Sequence, residues 1–221
     1  MNGQMTSQIS SSNTPKHLTE RELIKAGIYK RYYNLNFDNI HVKEANKEAF
    51  NEVNAYADNF GTNRDKGLGL ILKGGVGTGK TTLAIATMKR AMEQGFLAYF
   101  IPMVSLMDKF FTMRSDEERE KWDRMLKTVP LLVLDDLGAE YMGKDGQSSF
   151  VLTHVDAIIS ERVNRMNPII ITTNLSLVNR EDITDKSSIM GRYNSRILDR
   201  LRSTCKLITI SGKSIRKEEW R

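Results

Sequence analysis

Leu70-Ile71-Leu72-Lys73-Gly74-Gly75-Val76-Gly77-Thr78-Gly79-Lys80-Thr81 places an apolar run, a glycine-rich loop and the start of a helical pattern in that order. Its last eight residues fit G-x-x-x-x-G-K-[ST]. Glycine tolerates the backbone angles that turn successive N–H groups inward, where they hold phosphate oxygens. The helix predicted from Lys80 adds the positive end of its dipole. Lys80 offers a charge to β- and γ-phosphates, and the Thr81 hydroxyl is a candidate Mg²⁺ ligand. The candidate nucleotide-binding residues are therefore Gly74, Gly75, Val76, Gly77, Thr78, Gly79, Lys80, Thr81 and Thr82. By accident, the four fixed positions match in well under about 1% of chains this long.

Working outward, short apolar runs recur at Leu68–Leu72, Phe96–Ile101, Leu131–Leu134, Ile169–Thr172 and Leu207–Ile210. Apolar residues at consecutive positions are buried on both faces of a sheet, which is how parallel strands read. Pro130 and Pro168 stand just before two of the runs, where no interior ladder bond is lost. Helical patterns lie between them: Lys80–Gln94 closed by Gly95, Val104–Met113, Asp116–Lys127, Ser148–Arg165 with Ser148 or Ser149 as N-cap, and Ser187–Arg202. This alternation predicts an α/β domain around a parallel sheet. Upstream, Lys43–Phe60 reads as a helix and Phe37–Ile40 as extended, while His17–Tyr33 reads as a short helical arm. Met1–Pro15 is polar and predicted to be disordered. The expected division is a tail at 1–16, a partner-binding arm at 17–36, an ATPase domain at 37–212 and a basic tail at 213–221.

The chain of 221 residues has one cysteine, Cys205, which excludes an intramolecular disulfide and a cysteine metal cluster. No apolar run approaches the roughly 20 residues of a membrane span, and no signal-peptide pattern is visible, so a cytoplasmic location is expected. The net charge is +6, yet residues 186–221 alone hold ten Lys and Arg against three acids. The positive excess is thus local, not a general nucleic-acid coat.

Three further groups carry chemistry. Asp135 and Asp136 end the buried run Leu131–Leu134. An acid at the carboxyl end of a parallel strand, beside a phosphate loop, can hold Mg²⁺. Asp135 is that acid, and Asp136 at the strand tip is placed to polarise the attacking water. Glu140 reads as a surface residue. Asn174, after Ile169–Thr173, is placed to orient the water. Arg192, Arg196 and Arg200 are four apart in one predicted helix and so share a face, with Asp199 the only acid nearby, an arrangement suited to an anionic partner.

Together, Gly74–Thr82, Asp135-Asp136-Leu137-Gly138-Ala139-Glu140, Ile171–Asn174 and Ser195–Leu201 resemble the DnaC/DnaI-type helicase loaders and the related IstB transposition ATPases, which are AAA+ proteins. The likeness runs from about Lys30 to Ser211. It implies a P-loop fold with a five-stranded parallel sheet in the order 5-1-4-3-2, helices on both faces and no C-terminal lid. It implies ATP and Mg²⁺, with Thr81 and Asp135 toward the metal and Lys80, Asp136 and Asn174 toward the reaction. Asn174 matches the first sensor, Arg200 the finger acting on a neighbouring subunit, and Arg196 a second nucleotide-sensing arginine. It also implies single-stranded DNA inside a spiral of subunits joined through their ATP sites. Lys109, Phe110, Arg114 and Lys121 match the region where initiator-type relatives insert extra helix, and Phe111 stands beside them. Asp136 replaces the Glu of many AAA+ proteins, and no cysteine cluster is present for the zinc-bound segment that some loaders carry.

The leading expectation is an ATP-dependent loader of a DnaB-type replicative helicase onto single-stranded DNA. Two alternatives stay open: an IstB-like ATPase regulating a transposase on duplex DNA, and a nucleotide-dependent switch with negligible turnover. A small-molecule kinase fits poorly, because a paired-acid strand and a polar sensor strand do not build a phosphoacceptor pocket.

Overall fold

The structure is a computed structural model that describes residues 16–140, 147–212 and 214. The tail 1–15 and most of 213–221 lie outside them. In chain order the elements are α1 (Glu20–Lys25), α2 (Lys47–Asp58), α3 (Phe60–Asp65), β1 (Gly69–Gly74), α4 (Lys80–Glu93), β2 (Ala98–Pro102), α5 (Met103–Thr112), α6 (Asp116–Thr128), β3 (Leu131–Leu137), α7 (Gln147–Asn164), β4 (Ile169–Thr173), α8 (Ile189–Tyr193), α9 (Ser195–Thr204) and β5 (Cys205–Ile210). The strands form one sheet in the order β2-β3-β4-β1-β5, with every pairing parallel. That is the expected order read from its other edge.

Alternation along the strands builds two cores. In β1, Leu70 and Leu72 pack on one face with α2 and α4, while Ile71 packs on the other with α5, α7 and α9. Both faces of the central strands are therefore covered, as their unbroken apolar text requires. Edge strand β5 departs from that rule: Lys206 and Leu207 are exposed.

The segment 17–36 is no free arm. Leu23, Ala26, Ile28 and Tyr32 are buried in the same core as α4. The Ala26 carbonyl accepts a hydrogen bond from Phe100 N at 2.8 Å, on the outer edge of β2. Helix α1 opens on a capping box, with the Thr19 side chain and Glu22 exchanging hydrogen bonds.

Several predicted boundaries shift. Phe37–Asn39 is one 3-10 turn, closed by reciprocal bonds between Asn36 and Asn39, and not extended chain. The helix expected over Lys43–Phe60 is a 3-10 turn at Glu44–Asn46 followed by α2, and helix resumes in α3. Helix α7 starts at Gln147, so neither Ser148 nor Ser149 is its N-cap. The helix expected over Ser187–Arg202 is two helices. Asn194, with φ of 131°, breaks it and caps α9 by accepting from Ile197 N at 3.0 Å.

Arg162 on α7 is fully buried. It donates to the carbonyls of Leu126 (2.7 Å), Val129 (2.9 Å) and Pro168 (2.5 Å), binding the entries of β3 and β4 together. Burial pulls its pKa down to about 9.

Candidate nucleotide site

The loop between β1 and α4 has the backbone its glycines allow. Gly77 and Gly79 take φ of 74° and 101°, where a side chain would be strained. Their conformation turns the loop back onto the first turn of α4. Lys80 is 5% exposed, and its ammonium donates to the carbonyls of Gly74 (3.0 Å) and Gly75 (2.8 Å) and to Asn174 Oδ1 (2.6 Å). The phosphate-loop lysine and the predicted sensor thus meet directly.

The two acids sit on an irregularity. The β3–β4 register shifts between Leu134 and Leu137, and Asp136 has φ of 53°. A bulge re-aims side chains in this way. Asp135 is buried and accepts from the hydroxyls of Thr81 (2.9 Å) and Thr172 (2.6 Å). Burial raises its pKa, and the two hydroxyl bonds oppose that rise. Thr172 Oγ1 also accepts from Asp136 N at 2.8 Å, so one hydroxyl fixes both acids. The sequence reading missed Thr172, although its place beside Thr173 and Asn174 at the end of β4 was the available signal.

Asp136, Ala139, Asn174 and residues 76–82 line a cleft of about 600 Å³, which Arg31 and Tyr32 also line. The loop, Lys80 and the amino end of α4 suit a polyphosphate. One buried carboxylate beside one hydroxyl suits Mg²⁺, which binds through few protein oxygens plus substrate phosphates. Among the described residues no group of three or more His, Cys, Asp or Glu is placed to hold a metal ion. An apolar pocket adjoins the cleft across Thr78, Gly79 and Thr82, walled by Ile40, Phe50, Leu83 and Ile210.

Three expectations need correction. Glu140 is buried, not a surface residue: it accepts from Gly138 N (3.0 Å), Arg192 Nε (2.9 Å) and Tyr193 OH (2.5 Å). Burial, with Glu140 alongside, raises the Tyr193 pKa, which keeps its hydroxyl a donor. Arg192 therefore does not share a face with Arg196 and Arg200: it lies on α8, ahead of the break at Asn194. Nor is Asp199 the acid that matters, because Asp156 on α7 pairs with Arg200 at 2.9 Å and Arg196 at 3.5 Å. Neither Arg196 nor Arg200 lines the cleft of their own chain.

Of the DNA candidates, Phe110 is 2% exposed and packs against His154 and Phe150, so its ring is not offered to a base. Phe111 is the exposed ring of the pair, at 53%. The Lys109 ammonium lies 4.0 Å from the Trp122 ring centre. Arg114 and Lys121 are exposed.

A family model described as "IstB-like ATP binding protein" matches residues 43–221. The chain belongs to the IstB-like ATP-binding proteins. Within the curated relatives of this IstB-like chain, the IS21 insertion-sequence ATP-binding protein of Pseudomonas aeruginosa is 28% identical over 154 residues, 69% of this chain and 54% of that protein. The replicative helicase loader DnaI of Bacillus subtilis is 30% identical over 112 residues, half of this chain and 34% of that one. The chain thus spans about half, or less, of those relatives' length. The crystal structure of the DnaC helicase loader superposes with a TM-score of 0.67 at 29% identity, covering 82% of this chain and 99% of that one. The fold is that of the P-loop AAA+ domains, and no described helix is long and apolar enough to cross a membrane.

Proposed function

We propose that this IstB-like protein hydrolyses ATP and uses the cycle to load a DnaB-type replicative helicase onto single-stranded DNA. The observation that carries the ATPase reading is the meeting of three separate stretches of chain at one cleft: Lys80 and Thr81 at the start of α4, Asn174 bonded to Lys80, and Asp135 bonded to Thr81. The loader reading is supported by the DnaC helicase loader structure, whose whole chain this one covers at 29% identity.

In this reading the loop N–H groups and Lys80 hold the triphosphate, and the apolar pocket beside Ile40 and Phe50 takes the base. Lys80 turns from Asn174 to phosphate oxygen. Asn174, released, orients a water. Asp136 accepts that water's proton as the new O–P bond forms and the bond to the β-phosphate oxygen breaks. Thr81 and Asp135 would hold Mg²⁺, which neutralises charge on the phosphates when bound. Arg196 and Arg200 act at a neighbour's site in an ATP-bridged oligomer. Lys109, Phe111, Arg114 and Lys121 are the single-strand contacts, with Phe111 taking the stacking role expected of Phe110.

One observation favours a second reading. The matching family model is IstB-like and a relative is an insertion-sequence protein, which supports regulation of a transposase on duplex DNA. The test is to mix the full chain with a DnaB-type hexamer, with and without ATP, and to measure phosphate release on single- and double-stranded DNA. Loading predicts ATP-dependent association and stimulation by single strands. No association together with stimulation by duplex favours the transposition reading.

A further inference from the structure

Arg31 stands in the same cleft as the phosphate loop, although it lies 49 positions ahead of Lys80. It is exposed, and among the described residues its polar contacts are both with Tyr32: its guanidinium carbon lies 4.4 Å from that ring's centre, and it donates to the Tyr32 hydroxyl. A planar guanidinium held against a buried ring is pre-oriented, so it loses little freedom on meeting a ligand. Tyr32 is 8% exposed and packed in the core shared with α4. The next turn of chain is pinned to the same helix, because Lys89 on α4 donates to the carbonyls of Tyr33 and Leu35 at 2.5 Å each. The chain just after Arg31 is therefore tied to α4, the helix that Lys80 begins.

Charge gives the cleft a reason for this residue. Among its lining side chains Lys80 is offset by Asp136, and Arg31 restores a net positive lining. It lines the same cleft as Asp136 and Asn174. Arginine binds phosphate through two parallel charge-assisted bonds.

We propose that Arg31 contacts the terminal phosphate of the nucleotide bound in its own chain, and that through it residues 17–36 distinguish a triphosphate from a diphosphate. The proposal rests on the nucleotide reading of the cleft. It makes residues 17–36, and not only the arginines of α9, responsive to the nucleotide.

The test titrates the full chain, with Mg²⁺ present, with ATP and with ADP, using wild type, Arg31→Ala, Arg31→Lys and Lys80→Ala. Arg31→Ala should weaken ATP about tenfold or more, as loss of charged bonds to phosphate does. ADP should change by less than about twofold, and Arg31→Lys should recover part of the ATP loss. Unchanged ATP affinity, or equal losses for ATP and ADP, overturns the proposal while leaving the cleft a nucleotide site. If Lys80→Ala binds both nucleotides as wild type does, the nucleotide reading falls and the proposal with it. A second readout is cleavage by a Glu-specific protease at Glu20 and Glu22. ATP should protect wild type more than ADP does, and Arg31→Ala should lose the difference. Equal cleavage of wild type in both nucleotides overturns the link to the arm.

Discussion

Lys80 and Asn174, 94 residues apart in sequence, are hydrogen-bonded to each other at 2.6 Å. The bond joins the start of α4 to the end of β4 within the cleft, so a phosphate that draws the ammonium also changes what Asn174 can hold. Lys80→Ala should therefore abolish tight ATP binding, read by equilibrium titration. Asn174→Ala should keep binding within a fewfold and cut steady-state phosphate release by about tenfold or more, because it removes a water-orienting group and not the cradle.

Asp136 lines the cleft, and its backbone N–H is held by Thr172. Asp136→Asn keeps the shape and removes the proton acceptor. ATP affinity should persist while phosphate release falls by roughly 10²–10⁴-fold. Unchanged release would end the general-base assignment.

Thr172→Val tests the support of the acids without touching either. The variant is close to isosteric but strands the Asp136 N–H and removes a donor from Asp135. Chemical denaturation should show a loss of about 1–3 kcal/mol. Phosphate release should fall with it, since a misplaced acid is a poor base.

Arg200 is tied to Asp156 in its own chain, with the Arg200 side chain 30% exposed. Arg200→Ala should spare ATP binding by the isolated chain and lower ATPase activity only in the assembled state. Mixing Arg200→Ala with Lys80→Ala should restore activity above either variant alone, because one sound lysine can then face one sound arginine. ATPase activity measured across a range of mixing ratios decides it.

Arg162→Met removes three donors from buried carbonyls. A loss of about 3 kcal/mol or more in urea is expected, since a carbonyl left unpaired costs about 1–3 kcal/mol. Among the described residues, only that of Pro168 keeps a second donor, Leu132 N. Ligand-induced stabilisation by ATP should survive wherever the variant stays folded.

How much of this could be read from the sequence depends on the kind of signal. The parallel sheet was legible because every central strand is a continuous apolar run, while its order followed only from the family resemblance. Asp135 and Asn174 stood out because each follows such a run, and Lys80 because it closes the glycine loop. The pairing of charges was not. Nothing local says that Glu140 folds inward onto Arg192 and Tyr193, or that Asp156 reaches Arg196 and Arg200 from another helix, since these partners are 40–53 residues apart. The break at Asn194 was hidden because its neighbours continue the helical spacing. Phe110 and Phe111 are equal in text, and only the direction of α5 separates the buried ring from the exposed one.

The Ala26–Phe100 hydrogen bond occupies the free margin of β2. Residues 17–36 are thus a hem sewn to the sheet. A partner that unpicked them would have to supply a substitute acceptor for Phe100 N–H and apolar cover for the surface under Leu23, Ile28 and Tyr32. Copies of this chain cannot join by extending the sheet through that margin while the hem is in place. Assembly has to use other parts of the surface, among them the cleft and the arginines of α9.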